Sequence, residues 1–152
     1  MQARFDAFKA APAAYAAMRG LQAYVDKCGL EASLIELVKT RASQINGCSF
    51  CVHMHTRDAR AHGESEERLY LLSAWRHSPL YGERERAALA WTEALTLVAQ
   101  GEVSDEVYDA ARRHFSEKEL TDLTMAVVAI NGWNRIMVAT RTPHPVGAEK
   151  AA

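Results

Sequence analysis

The chain has 152 residues, 49% apolar and 24% charged, and 18 basic side chains stand against 19 acidic ones for a net charge of −1. That length suits one domain with a sizeable core, and the composition excludes disordered and collagen-like classes. Acids and bases interleave, as in Glu83-Arg84-Glu85-Arg86, so no basic stripe forms and nucleic acid is not an expected partner. No stretch reaches the roughly 20 apolar residues of a membrane-spanning helix, and no apolar run follows a basic start. No membrane association is expected, and a cytoplasmic location is the simplest reading.

No sustained period-two run of β-branched residues occurs, so the sequence predicts an all-α fold of about seven helices in a single domain. A first helix is expected from Pro12 to Cys28-Gly29. A second carries Leu34, Leu37, Val38, Arg41 and Ile45 at helical spacing and ends at Asn46-Gly47. The third starts near Cys48 and stops at His62-Gly63. Ser65-Glu66-Glu67 reads as a cap with acids in the first turn, opening a fourth helix that Ser78-Pro79 closes. A fifth spans Glu83 to Gln100 with Trp91, Leu95 and Val98 on one side. Ser104-Asp105-Glu106 starts a short sixth, and Ser116-Glu117-Lys118-Glu119 is a capping box for the last. That last helix is apolar on several sides, which implies burial within the subunit or against another subunit. A flexible tail is expected from about residue 143.

Three cysteines, an odd number, argue against a secreted disulfide framework and for a catalytic, redox-sensing or metal-binding pair. Cys28, before Gly29, reads as a bystander. At about 100° per residue, Cys48, Cys51 and His55 share about a 60° sector of one helix face, and His53 lies roughly 140° away. Helix-start N–H groups and a nearby imidazole both favour a thiolate. Two thiols one turn apart can pass from sulfenic acid to disulfide. Zinc is the chemical rival, with Cys48, Cys51 and His55 as three ligands and His62 or another residue as the fourth, but there is no second cysteine pair. Glu36, among Leu34, Ile35, Leu37 and Val38, is by periodicity alone a solvated helix residue with Lys39 as a local partner. The apolar neighbours would otherwise raise its pKa and suit it to general-base work. Trp75 and Trp91 read as core. Asn131, Trp133, Asn134 and Arg135 read as hydrogen-bonding groups at a subunit interface.

Glu36, eleven residues, Cys48-x-x-Cys51, three residues and His55 together resemble the pattern of the AhpD-like alkylhydroperoxidase branch of the carboxymuconolactone decarboxylase family. Asp58-Ala59-Arg60, Glu67-Arg68-Leu69, Trp75-Arg76, the Glu83 to Ala94 run and Asn131-Gly132-Trp133-Asn134-Arg135 extend the resemblance over roughly residues 30 to 140. It implies an all-helical homo-oligomer, a trimer or hexamer, acting as a thiol peroxidase on hydrogen peroxide or alkyl hydroperoxides with no bound cofactor or metal. It further implies that Cys51 becomes the sulfenic acid, that Cys48 resolves it and shuttles a proton, and that Glu36 and His55 relay protons. An external dithiol, lipoyl or thioredoxin-like, is the expected electron donor. Helix electrostatics alone favours Cys48 as the stronger thiolate. Phe50 stands where some members carry a histidine, so part of their relay is absent. True decarboxylases of the family lack the Cys-x-x-Cys pair. The alternative class is a redox-sensing or holdase protein switched by Cys48–Cys51 oxidation.

Overall fold

Short polar side chains decide where half of the α-helices begin. In the computed structural model, which describes residues 2–146, Ser65, Ser104 and Ser116 each accept a hydrogen bond from a backbone N–H three residues on, at the starts of α5 (Glu66–Leu71), α7 (Asp105–Arg112) and α8 (Glu117–Thr140). Glu119 returns a bond to the Ser116 N–H, completing the expected capping box. Pro12 opens α2 (Pro12–Val25), α3 is Ala32–Ile45, α4 is Ser49–Ala61 and α6 is Glu83–Thr96.

Among the described residues the fold is all-helical, with eight α-helices and no strand, one α-helix more than expected. The extra element is α1 (Ala7–Ala10), where the Asp6 carboxylate accepts from the Phe8 and Lys9 N–H groups. Four residues carry no readable periodicity. The segment is held from outside, by Arg4 N–H and guanidinium bonds to the Thr140 and Ala139 carbonyls at the end of α8.

The fourth expected helix also changes character midway. After α5 the chain tightens into a 3₁₀ helix, Leu72–His77, with Ala74 leaving helical geometry. Tertiary bonds reach this stretch: the Trp75 indole N–H and the Arg76 guanidinium both bind the Glu93 carboxylate, at 2.8 and 2.6 Å. The fifth helix stops at Thr96 rather than near Gln100, and Val98 is exposed. Residues 147–152, part of the expected tail, lie outside the described residues.

Leu34 and Val38 of α3, Ala88 and Trp91 of α6, Phe115, and Leu123 and Val127 of α8 form one core cluster. Trp75 packs in a second cluster with Leu37, Leu72 and Leu89, so both expected core tryptophans are buried. Helix α3 is enclosed by α4, α6 and α8 together. That enclosure buries Glu36 and Lys39 along with the apolar residues between them. Helix α8 is buried on most sides, while Val128 and Val138 remain half exposed. No helix among the described residues is long and apolar enough to cross a membrane.

Candidate active site

A tight reversal between α3 and α4 brings the reactive groups together. Gly47 takes a φ of +64°, a conformation open to glycine, and the Cys48 N–H returns to the Ser43 carbonyl at 3.0 Å. The two helices then run back along each other. Glu36 lies about 13 Å before the turn and His55 about 9 Å after it at 1.5 Å per residue, so they come nearly level. His55 Nδ1 is 2.8 Å from Glu36 Oε2, and Lys39 Nζ donates to Glu36 Oε1 at 3.2 Å. One carboxylate thus holds an imidazole on one oxygen and an ammonium on the other.

Glu36, Lys39 and His55 are each at most 7% exposed. The periodicity reading of Glu36 as a solvated residue is therefore corrected, because helices on three sides close over α3. Its expected upward pKa shift is corrected as well. Burial opposes ionisation, but the His55 hydrogen bond and the charges of His55 and Lys39 outweigh it and hold Glu36 below the usual carboxylate range. An ionised carboxylate can only accept, so His55 Nδ1 donates in its contact with Glu36.

Cys48 is the N-cap of α4, and its Sγ accepts from the Cys51 N–H at 3.4 Å. The two sulfurs are 2.8 Å apart and both cysteines are free thiols. The hydrogen bond from Cys51 is the largest influence on Cys48. It acts with the Cys51 and Phe50 N–H groups and the Asn134 amide, against burial, and brings Cys48 down to about 7. Cys51 is pushed up, because it would ionise beside its partner's sulfur and in a buried place. The pair loses one proton readily and the second only with difficulty, and the first anion rests mainly on Cys48. That agrees with helix electrostatics.

The two cysteines line different spaces. A cavity of about 410 Å³ is lined by Cys51 together with Glu36, Lys39 and His55. Phe8, Tyr15 and Trp133 form one wall of it, with ring centroids 4.3 to 6.3 Å apart. Cys48 instead lines a cleft of about 250 Å³ with Gly47, Ser49 and Arg141. Phe50 borders both spaces. His53 stacks on His144 at 5.0 Å, away from the site as its angle predicts. Cys28 is part-buried and far along the chain from the pair.

Among the described residues, the candidate ligand cluster for a metal is Glu36, His55 and Asp58, whose ligand atoms lie within 4.8 Å of one another. The cysteines are not in it, and His62 is exposed and bonded to the Asp58 carbonyl. The zinc set drawn from Cys48, Cys51, His55 and His62 is not assembled. A cation on the observed cluster would compete with the Lys39 ammonium already on Glu36.

Asn134 is the residue that sequence reasoning placed elsewhere. It is fully buried within one chain, donates to Ser43 Oγ at 3.0 Å and accepts from Asn46 Nδ2 at 2.9 Å. Its amide also bonds toward the cysteine pair. Asn131 likewise finds partners within the chain in Thr96 and Asn46, and Trp133 in Gln22. Polar residues interrupting an apolar helix were the available signal, and pairing them with Asn46-Gly47 required the fold.

The sequence profile of the carboxymuconolactone decarboxylase family matches residues 9–94. An uncharacterized protein of Bacillus subtilis, YdfG, is 40% identical over 139 residues, covering 91% of this chain and 95% of that protein. The uncharacterized YnjA of Escherichia coli is 33% identical over 91 residues, 60% of this chain and half of that protein. A crystal structure from Agrobacterium tumefaciens superposes with a TM-score of 0.94 at 46% identity, over 96% of this chain and all of that one; it is a protein of unknown function provisionally described as the antioxidant defence protein AhpD. An unliganded debrominase shares the fold, with a TM-score of 0.82 at 20% identity over 91% of this chain and 75% of its own. The chain belongs to the carboxymuconolactone decarboxylase family, in its AhpD-like branch.

Proposed function

We propose that the protein is a thiol-dependent peroxidase that reduces hydrogen peroxide or alkyl hydroperoxides through a Cys48–Cys51 disulfide cycle. The fold does not carry this reading, since a debrominase has it too. The carrying observation is that Cys51 shares one cavity with the Glu36–His55 pair while its sulfur touches that of Cys48.

His55, held by Glu36, takes one proton from the dithiol pair. The remaining proton moves between the sulfurs, so that a Cys51 thiolate forms as Cys48 is protonated. Cys51 Sγ attacks the distal oxygen of the hydroperoxide; the S–O bond forms, the O–O bond breaks, and the leaving alkoxide takes the His55 proton to become an alcohol. Cys48 then displaces water from the Cys51 sulfenic acid, closing the disulfide. An external dithiol, lipoyl or thioredoxin-like, reopens it by exchange, reaching Cys48 through the cleft beside Arg141. Glu36, below the usual carboxylate range, serves as the anion that orients and charges His55 rather than as the proton acceptor. No resident cofactor or metal takes part. The working form is a cytoplasmic homo-oligomer, a trimer or hexamer, in which Val128 and Val138 are covered.

The test is multiple-turnover consumption of hydroperoxide with dihydrolipoamide or a reduced thioredoxin. Wild type turns over, Cys51→Ser and Cys48→Ser do not, and Glu36→Gln is slowed by about 10²-fold or more, the usual worth of a positioned acid–base pair. A wild type that forms the disulfide reversibly yet shows no dithiol-dependent turnover contradicts the peroxidase and favours a redox-sensing or holdase protein.

A further inference from the structure

The reaction proposed above leaves one buried charge without a task. Lys39 is 6% exposed, and lysines are almost never buried to that degree unless paired. Its partner among the described residues is a single carboxylate oxygen, Glu36 Oε1 at 3.2 Å. An ammonium has three donors, so two N–H groups stay available, and Lys39 lines the same cavity as Cys51 and His55. The ion pair with Glu36 engages one face of the ammonium, and His55 occupies the other carboxylate oxygen.

We propose that Lys39 is a catalytic residue that hydrogen-bonds the oxygen leaving the hydroperoxide. This rests on the peroxidase reading and adds to it a residue for which the thiol and imidazole chemistry has no need. As Cys51 Sγ bonds to the distal oxygen and the O–O bond breaks, negative charge moves from sulfur to the proximal oxygen. The Lys39 ammonium, buried in the wall of the cavity, faces that oxygen. It is worth more to the developing alkoxide than to the neutral hydroperoxide, which is the condition for accelerating a step rather than merely tightening binding. Lys39 keeps its proton; the alkoxide is protonated by His55, and the balance of the step is unchanged.

The role has a signature that a structural lysine lacks. Stabilising a leaving anion matters most when that anion is strongly basic. Single-turnover oxidation of the reduced protein is measured with peracetic acid, hydrogen peroxide and tert-butyl hydroperoxide, whose leaving groups are acetate, hydroxide and tert-butoxide in order of rising basicity. In Lys39→Met, tert-butyl hydroperoxide reacts about 100- to 1,000-fold more slowly than in wild type, as for loss of one oxyanion donor. Peracetic acid loses less than about tenfold, and Lys39→Arg recovers part of the loss for the basic leaving groups. The pH profile of thiol alkylation by iodoacetamide, which has no oxygen leaving group, stays near that of wild type and reports an intact site. Equal slowing with all three oxidants, or none, overturns the role of Lys39 while the peroxidase reading stands. A wild type inert to all three oxidants overturns both.

Discussion

Replacing Glu36 by glutamine removes the one anion that two neighbours share. The Glu36 and Lys39 side chains are 10% and 8% exposed, so the lysine charge has little water to fall back on. Removing one partner of a buried ion pair costs about 3–5 kcal/mol. Glutamine keeps the shape and one acceptor oxygen, which places Glu36→Gln near the lower end, at about 3 kcal/mol. For a chain of this size that is a fall in Tm of about 6–12 °C. Lys39→Met leaves Glu36 bonded to His55 and costs less, about 1–3 kcal/mol for a lost charged hydrogen bond. Combining the two removes both buried charges, so the double variant is more stable than the sum of the single losses by at least about 1 kcal/mol. Urea unfolding of the four proteins at pH 7, followed by circular dichroism, measures this cycle. A Glu36→Gln loss below about 1 kcal/mol with strictly additive behaviour refutes the buried-pair argument.

Further outcomes concern pH, the thiol surroundings and the cavity border. Cys48 is lowered to about 7, so ultraviolet thiolate absorbance rises through that pH, and Cys48→Ser abolishes the step. Because the folded value lies below that of an unfolded thiol, about 8.5, the thiolate's contribution to stability is present above the unfolded value and is lost as pH falls through about 7, a pH dependence that the Cys48→Ser protein lacks. Glu36 is also depressed. Its stabilisation is present above the unfolded carboxyl value and lost as pH falls through the folded one, so acid unfolding begins at higher pH in wild type than in the Glu36→Gln, Lys39→Met protein, relative to each at neutrality. Asn134→Ala leaves Ser43 and Asn46 short of a partner, costs about 1–3 kcal/mol and moves the thiolate titration upward; an unmoved titration separates Asn134 from the sulfurs. Phe50→His adds a second imidazole at the border of both spaces and raises the rate of Cys51 oxidation, measured by single-turnover kinetics.

Helix starts were legible because capping is local: Ser65, Ser104 and Ser116 bond to N–H groups three residues away, a distance sequence spacing determines. The Cys48, Cys51 and His55 stripe was legible for the same reason. What failed depended on other elements. Helix α1 is too short to show a period and is held by the end of α8. The stretch from Leu72 to His77 yields to Glu93 on α6. The direction of the Glu36 shift turned on its contacts with His55 and Lys39 rather than on its apolar neighbours. Asn134 found Ser43 and Asn46, some ninety residues earlier in the chain, where periodicity suggested a subunit contact. Lys39 was legible as a partner for Glu36, three residues away, but not as a wall of the cavity that holds Cys51.

In the proposed cycle oxygen from a hydroperoxide lands on Cys51, which lines the cavity with Glu36, Lys39 and His55, although Cys48 is the more acidic thiol. Treating reduced Cys48→Ser and Cys51→Ser proteins with one equivalent of hydroperoxide in the presence of dimedone, followed by peptide mass spectrometry, tests it directly. The expected result is a sulfenic-acid adduct on Cys51 in Cys48→Ser and little or none on Cys48 in Cys51→Ser. A prompt adduct on Cys48, with Cys51 unmodified in its own test, contradicts it.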